Sequence, residues 1–412
     1  MAIIRPFQCV RPNEEMASTI AALPYDVYNR KEAKEVVKGN AKSFLAIDRP
    51  ETGLPDDADM YAPEVYERAN QMLQEWISEG AFVKDADRAY YLYELTMNGR
   101  TQTGIVACAA IDDYQNGVIK KHENTRAEKE ADRICHVDGC SAQTGPIFLA
   151  YRAQEAITKL VARVKEESAL YDFVSEDVIR HRVFKIAQAD DCKMIEDTFA
   201  SIDHIYIADG HHRAASAVKV GLKRREAYPQ YTGEEEFNYF LSVLFPGEEL
   251  MIMDYNRVVK DLNGLSEEEF LDKAKAIFDV IEVSGQTAPK KKAEFTMFLS
   301  GKWYVCTVRT ADIPNDPVES LDVSLLQNLF LNPVLGIKDP KTDSRIDFVG
   351  GIRGLNELEK RCGADCKVAF AMYPTAIEEL FDVADASLLM PPKSTWFEPK
   401  LRSGLFIHEF ER

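Results

Sequence analysis

The chain has 412 residues, with 50 Lys and Arg against 68 Asp and Glu and a formal net charge of −18. That excess of negative charge excludes a scaffold whose whole surface grips a phosphate backbone, which needs clustered Lys and Arg, but leaves room for a local basic pocket. Hydrophobic residues make up 46% and charged residues 29%, the balance of a folded soluble protein, and at about 100–200 residues per domain the length provides for two or three domains.

Ala2–Cys9 reads as a short apolar strand. Asn29 ahead of Arg30, Lys31 and Glu32 marks a helix start, with Gly39 as its stop. Ala62–Glu79 carries Val65, Ala69, Met72, Leu73 and Trp76 at helical spacing and ends at Gly80. Ala89–Met97 and Thr101–Ile111 flank Asn98-Gly99; both central residues of a type I′ turn need positive φ, so this is a β-hairpin. Ile147–Tyr151 is a strand, Ala153–Glu167 a helix, Asp172–Ser175 and Arg182–Ile186 short strands, and Ala189–Ala200 a helix. Ser201–Ala208 alternates up to Asp209-Gly210, and His211–Arg225 is strongly helical.

After the strand Phe240–Phe245, the turn Pro246–Glu249 marks a boundary between portions 1–247 and 248–412. In the second portion Ser266 and Glu269 form a capping-box pattern at the head of the helix Ser266–Phe278. Phe295–Leu299 and Trp303–Val308 pair about Ser300-Gly301. Leu321–Phe330 and Thr375–Ala386 are helical, and Ala369–Met372 and Leu405–Phe410 are strands. The fold class is mixed α/β, with a C-terminal α+β portion.

No stretch approaches the roughly 20 apolar residues that cross a bilayer. The first sixteen residues meet Pro, Arg and paired Glu too early for a signal peptide. A cytoplasmic location follows, where the eight cysteines stay reduced. Cys135, His136 and Cys140 offer three metal ligands without a fourth nearby, and no CxxC occurs, so they read as ordinary side chains.

Three basic islands interrupt the acidic chain. In the first, Lys120–Arg133, a strand delivers His122 and Glu123 into a loop beside Lys120, Lys121 and Thr125. Glu123 suits proton acceptance and Lys120, His122 and Thr125 suit anion binding; a solvated helix start capped by Thr125 and Glu128 fits the same residues. In the second, Asp209-Gly210-His211-His212-Arg213 joins an apolar strand to an Ala-rich helix. The first turn of a helix carries unpaired N–H groups and the positive end of its dipole, so this favours an anion site, with Gly210 allowing close backbone approach, while surface histidines beside a capping Asp209 fit the same residues. Asp209 caps the helix or works beside the anion. The third island, Lys393–Arg402, supplies Lys393, Ser394 and Lys400 from a proline-fixed loop. Asp26 in Pro24-Tyr25-Asp26-Val27 is a further carboxylate at an irregular turn.

Arg5-Pro6, Pro24–Val27, His122-Glu123-x-Thr125, Asp209–Arg213 and Pro391-Pro392-Lys393-Ser394-Thr395-x-Phe397 stand in an order that resembles the family called domain of unknown function 1015, over nearly the whole chain. The resemblance implies a ParB/sulfiredoxin-like core with a mixed sheet, whose relatives by fold include free-serine kinases that use ADP or ATP to make O-phosphoserine. In that superfamily a Gly-x-x-Arg turn binds nucleotide phosphates, and Gly210-His211-His212-Arg213 matches it. Where sulfiredoxins place a catalytic Cys this chain has His211, which argues against sulfinic-acid repair. No basic helix supports the DNA-binding role of ParB partition proteins. The serine kinases use an N-terminal carboxylate as base, for which Glu14, Glu15 and Asp26 are the candidates.

The expectation is therefore a nucleotide-dependent phosphotransferase acting on a small hydroxylated metabolite, with L-serine as first guess. Gly210, His211, His212 and Arg213 hold phosphates; Asp209, Glu123 or Asp26 binds metal or takes the substrate proton; Mg²⁺ with ATP or ADP completes the set. The partner is a small phosphate compound rather than nucleic acid or membrane, and an oligomer stays open. Two alternatives stand beside it: a nucleotide-binding sensor without phosphotransfer, and an anion-dependent lyase or hydrolase using His122 and Glu123. The enzyme reading requires the three islands to converge on one cleft.

Overall fold

Asn98 and Gly99 take φ values of +52° and +79°, the left-handed pair that a type I′ turn demands. They join Tyr90–Met97 to Arg100–Ala110 at the centre of the largest sheet in the computed structural model, which describes residues 1–125 and 127–411; Arg126, inside the first basic island, lies outside the described residues. The chain divides into two units, Met1–Leu250 with Pro399–Arg412, and Met251–Glu398.

In the first unit nine strands form one mixed sheet. Its order runs Ile119–Lys120, Ile205–Asp209, Ile147–Tyr151, Tyr239–Pro246, Arg100–Ala110, Tyr90–Met97, Arg180–Ile186, Tyr171–Val174, with Ile4–Arg5 paired to Arg100–Ala110. Two neighbouring pairs are parallel, Ile205–Asp209 with Ile119–Lys120 and Tyr239–Pro246 with Ile147–Tyr151; the rest are antiparallel. Parallel pairing buries both faces of a strand, and Ile147–Tyr151 and Ile205–Ala208 are buried throughout. Ile157, Leu160, Ile195 and Phe199 of the helices Glu155–Val164 and Ala189–Ala200 pack onto this core with Ala214, Ala217 and Val218 of His211–Ala227.

A four-stranded sheet, in the order Phe82–Lys84, Cys9–Pro12, Ile407–Glu409 and Ala142–Gln143, builds a second core. The helix Pro63–Ser78 lays Ala69, Leu73 and Trp76 on it, at the spacing legible in the sequence. Burying a large apolar side chain of this kind contributes about 1.5–3 kcal/mol. Asn29 forms both halves of a capping box with Glu32, fixing the start of Arg30–Gly39.

The second unit is built on six antiparallel strands, in the order Phe278–Val283, Lys302–Val308, Glu294–Leu299, Val368–Ala371, Tyr255–Val259 and Ile346–Gly350. A further pair joins Met251–Met253 to Trp396–Glu398. Ser266 and Glu269 cap the helix Glu267–Ile277 as the sequence pattern requires. Leu321–Phe330 departs from a uniform helix: Asp322–Leu326 is α-helical and Gln327–Leu331 widens into a π turn. Among the described residues no helix is long and apolar enough to cross a membrane.

Candidate functional site

The strand Ile205–Asp209 stops where Gly210 turns into the left-handed region at φ +92°, and the helix His211–Ala227 starts at the next residue. Gly210 is the helix cap, and no side chain caps the first turn. Asp209 does not act as that cap. One of its carboxylate oxygens accepts the N–H of Gly210 at 2.7 Å and the other accepts Lys400 Nζ at 2.8 Å. Burial opposes its ionisation, but the charges of Lys400 and Arg213 and these two hydrogen bonds outweigh it, holding the carboxyl well below the usual range.

Arg213 folds back along the turn. A Cβ at Gly210 would lie 3.3 Å from its Nε, tighter than ordinary contact, so the guanidinium packs against this glycine; a Cβ at Gly145 would stand 3.5 Å from Nη1, ordinary contact. Its Nη1 donates to the carbonyl of Pro146 at 2.6 Å. The helix dipole, Arg213 and Lys400 thus place positive potential around one carboxylate at the C-terminal end of a strand.

His122 follows the neighbouring parallel strand Ile119–Lys120 and meets His211 edge to face, with ring centroids 4.5 Å apart. Both rings are buried, and His122 Nδ1 and His211 Nε2 have no hydrogen-bond partner among the described residues. Burial pushes His122 down to about 4, against Asp209 and its own bond to the Ile207 carbonyl. Burial and the neighbouring His122 push His211 well below the ordinary imidazole value. Both rings are neutral at pH 7, so they act as hydrogen-bonding groups rather than as cations. Glu123 Oε2 lies 4.0 Å from His211 Nδ1, on the solvent side.

The remaining candidates separate. Thr125 donates to Glu130 at 2.6 Å rather than entering a capping box with Glu128, and Glu130, buried, also pairs with Lys219 of the long helix; this set ties two helices together. Lys120 stands in the strand opposite Tyr206. Asp26 is exposed in the turn closed by Val27 N–H to Pro24 O, and no contact ties it to Asp209. Of the third island, Lys400 reaches Asp209, while Arg402 is buried on Asp177 and Ser175. Lys393 and Ser394 belong to the second unit. Geometry within the first unit therefore joins two islands and one residue of the third.

Sequence reasoning passed over the groups behind Arg213. A cavity of about 30 Å³, room for about two waters, is lined by Tyr25, Asp48, Arg133, His136, Thr144 and Arg213 among others. Arg133, the last residue of the first basic island, is buried with its guanidinium 4.0 Å from the Tyr25 ring centroid, and donates to the Asp48 carbonyl. Asp48 accepts Thr144 Oγ1 at 2.9 Å, and His136 Nε2 meets the Ile47 carbonyl at 2.9 Å. The sequence signal for this wall was the Thr144-Gly145-Pro146 turn ahead of a buried strand.

Fold and site define a mixed α/β protein with a basic strand-to-helix corner beside an ionised carboxylate. The model of the family described as Protein of unknown function (DUF1015) matches residues 4–324, and the chain belongs to that family. No curated protein matches the chain. Among solved structures, a free serine kinase mutant in complex with AMP is similar at 15% identity, over 74% of this chain and 92% of that one, with a TM-score of 0.37. SbnI with C-terminal truncation from Staphylococcus aureus gives 12% identity, 73% and 86% coverage and 0.39. A conserved hypothetical protein from Pyrococcus furiosus gives 15%, 74%, 94% and 0.35. At those scores the likenesses decide neither ligand nor reaction.

Proposed function

We propose that the chain is a nucleotide-dependent phosphotransferase acting on a small hydroxylated metabolite, with free L-serine as the first substrate to test. One observation carries this reading: the ionised carboxylate of Asp209 stands directly at the uncapped start of the helix His211–Ala227, between Arg213 and Lys400. Phosphoryl transfer needs mainly positioning and charge stabilisation. In this reading the helix start, Arg213 and Lys400 hold and neutralise the phosphate oxygens. Asp209 accepts the proton of the attacking hydroxyl, and neutral His211, backed by His122, donates or accepts a hydrogen bond at the same corner. ParB/sulfiredoxin-like ancestry, implied by the Gly210-His211-His212-Arg213 motif, agrees with a phosphate at this turn.

Among the described residues no group of three or more His, Cys, Asp and Glu side chains could hold a metal ion. Mg²⁺ does not require one, since one or two carboxylates and the phosphates themselves suffice. Asp209 and Glu123, on either side of His211, fit that role. The ion's contribution when bound is to neutralise charge on the phosphates.

A nucleotide sensor without turnover is favoured by one observation: both oxygens of Asp209 already accept hydrogen bonds, from Lys400 and from Gly210. Incubation of the protein with ATP or ADP, Mg²⁺ and L-serine, followed by mass spectrometry of O-phosphoserine, tests the kinase reading. Product with either nucleotide supports it; nucleotide binding with no product from serine or other small alcohols leaves the sensor.

A further inference from the structure

The second unit buries a cation for which it supplies no counter-charge. Arg257, in the strand Tyr255–Val259, is only 4% exposed. Its guanidinium donates to the backbone carbonyls of Tyr255 and, at 3.1 Å, of Lys393, and lies 5.3 Å from the centroid of the Phe348 ring. Among the described residues no carboxylate pairs with it. Burial lowers its pKa to about 10, with only Tyr255 opposing. An ion taken from water costs several kcal/mol unless it is paired, and two carbonyls and a ring offset only part of that.

The surroundings share a direction. In the antiparallel register Arg257 faces Phe348 and Tyr255 faces Gly350, so these positions lie on one face of the sheet. Trp396 lies against Gly350, where a Cβ would come 2.9 Å from the indole, and meets Tyr255 edge to face at 5.0 Å. Lys393, exposed, holds its ammonium 5.4 Å from the centroid of Tyr255. It does so from φ +62°, a left-handed conformation that costs a non-glycine residue about 1–2 kcal/mol. The loop is fixed there: Ser394 Oγ donates to Pro391 O at 2.6 Å, and Thr375 Oγ1 donates to Ser394 O at 2.9 Å. An exposed cation and a buried one therefore lie on one aromatic face, both lacking a carboxylate, in a chain whose net charge is −18.

We propose that this face of the second unit is an anion site of its own, in which Arg257 and Lys393 bind a phosphate group of a small molecule while Phe348 and Trp396 flank it. The inference is independent of the phosphotransferase reading, since it uses none of the residues Asp209–Arg213. It is tested by calorimetric titration of inorganic phosphate into the full chain carrying Arg213→Met and Lys400→Met, which removes both side-chain cations of the strand-to-helix corner. Phosphate should still bind, held by Arg257 and Lys393. Lys393→Gln should weaken it about tenfold with no change in melting temperature, because Lys393 is exposed. Arg257→Met should abolish it and raise the melting temperature of the ligand-free protein, because an unpaired buried charge is gone. Failure of the Arg213→Met, Lys400→Met protein to bind phosphate overturns the proposal. So does unchanged phosphate affinity in the Arg257→Met protein, which would make the guanidinium a structural tie.

Discussion

Gly210→Ala tests the corner with a single methyl group. At φ +92° the added Cβ suffers the left-handed penalty of about 1–2 kcal/mol. Restricting the unfolded chain returns about 0.4–1 kcal/mol, so the net loss of stability should be near 1 kcal/mol. The larger effect falls on the site. The same Cβ would stand 3.3 Å from Nε and 3.4 Å from Cζ of Arg213, so the guanidinium must shift by a few tenths of an ångström away from the turn, against its 2.6 Å bond to Pro146. A hydrogen bond to a charged group is worth about 1.5–3 kcal/mol, and 1.4 kcal/mol is tenfold in affinity. Calorimetric titration of ADP should therefore show a loss of ten- to a hundredfold, while urea unfolding shows only about 1 kcal/mol. Unchanged ADP affinity in a protein destabilised by that amount would refute the placement of the anion at this turn.

Three further outcomes are expected. Asp209→Asn keeps the Gly210 contact but loses the charge, so turnover should fall about a hundredfold or more while ADP still binds; steady-state kinetics with serine check the first and calorimetry the second. Folded His122 titrates near 4 against 6.5 for the free side chain, so between those values the unfolded state binds more protons. Its contribution, about 3 kcal/mol, is complete above pH 6.5 and lost as the pH falls to 4. Urea unfolding of His122→Asn across that range should show a correspondingly shallower loss. Gly221→Ala improves helix propensity by about 1 kcal/mol, yet its Cβ would lie 2.4 Å from the Phe237 carbonyl and 2.8 Å from Ile111 Cδ1. Overpacking of that kind costs about 1–3 kcal/mol, so thermal unfolding should shift to lower temperature.

Local signals were read well because their cause is local. Asn98-Gly99 makes a type I′ turn wherever it occurs between two strands, and the Asn29–Glu32 and Ser266–Glu269 boxes close through side chains three residues apart. Asp209-Gly210 ahead of small helical residues located the corner for the same reason. What escaped depends on distant partners. Tyr255–Val259 carries Asn256 and Arg257 in its middle, and only pairing on both edges, with Ile346–Gly350 and Val368–Ala371, makes it a strand. The return of Ile407–Glu409 to Cys9–Pro12 joins residues almost a whole chain apart, so the last segment belongs to the first unit. The run Lys120–Arg133 has the charge pattern of a solvated helix start, yet Glu130 and Arg133 within it are buried: helix packing brings Lys219 to one, and the Tyr25 ring and Asp48 carbonyl receive the other. Charge pattern alone cannot separate an exposed island from a buried tie.

The most direct measurement is the thermal stability of the full chain with ADP, ATP and inorganic phosphate, compared with Arg213→Met. A ligand at 100 times its dissociation constant stabilises the folded state by about 2.7 kcal/mol. A nucleotide-dependent rise in melting temperature that disappears in Arg213→Met is expected. No rise with any nucleotide, or an equal rise in both proteins, contradicts a phosphate site at the start of the helix His211–Ala227.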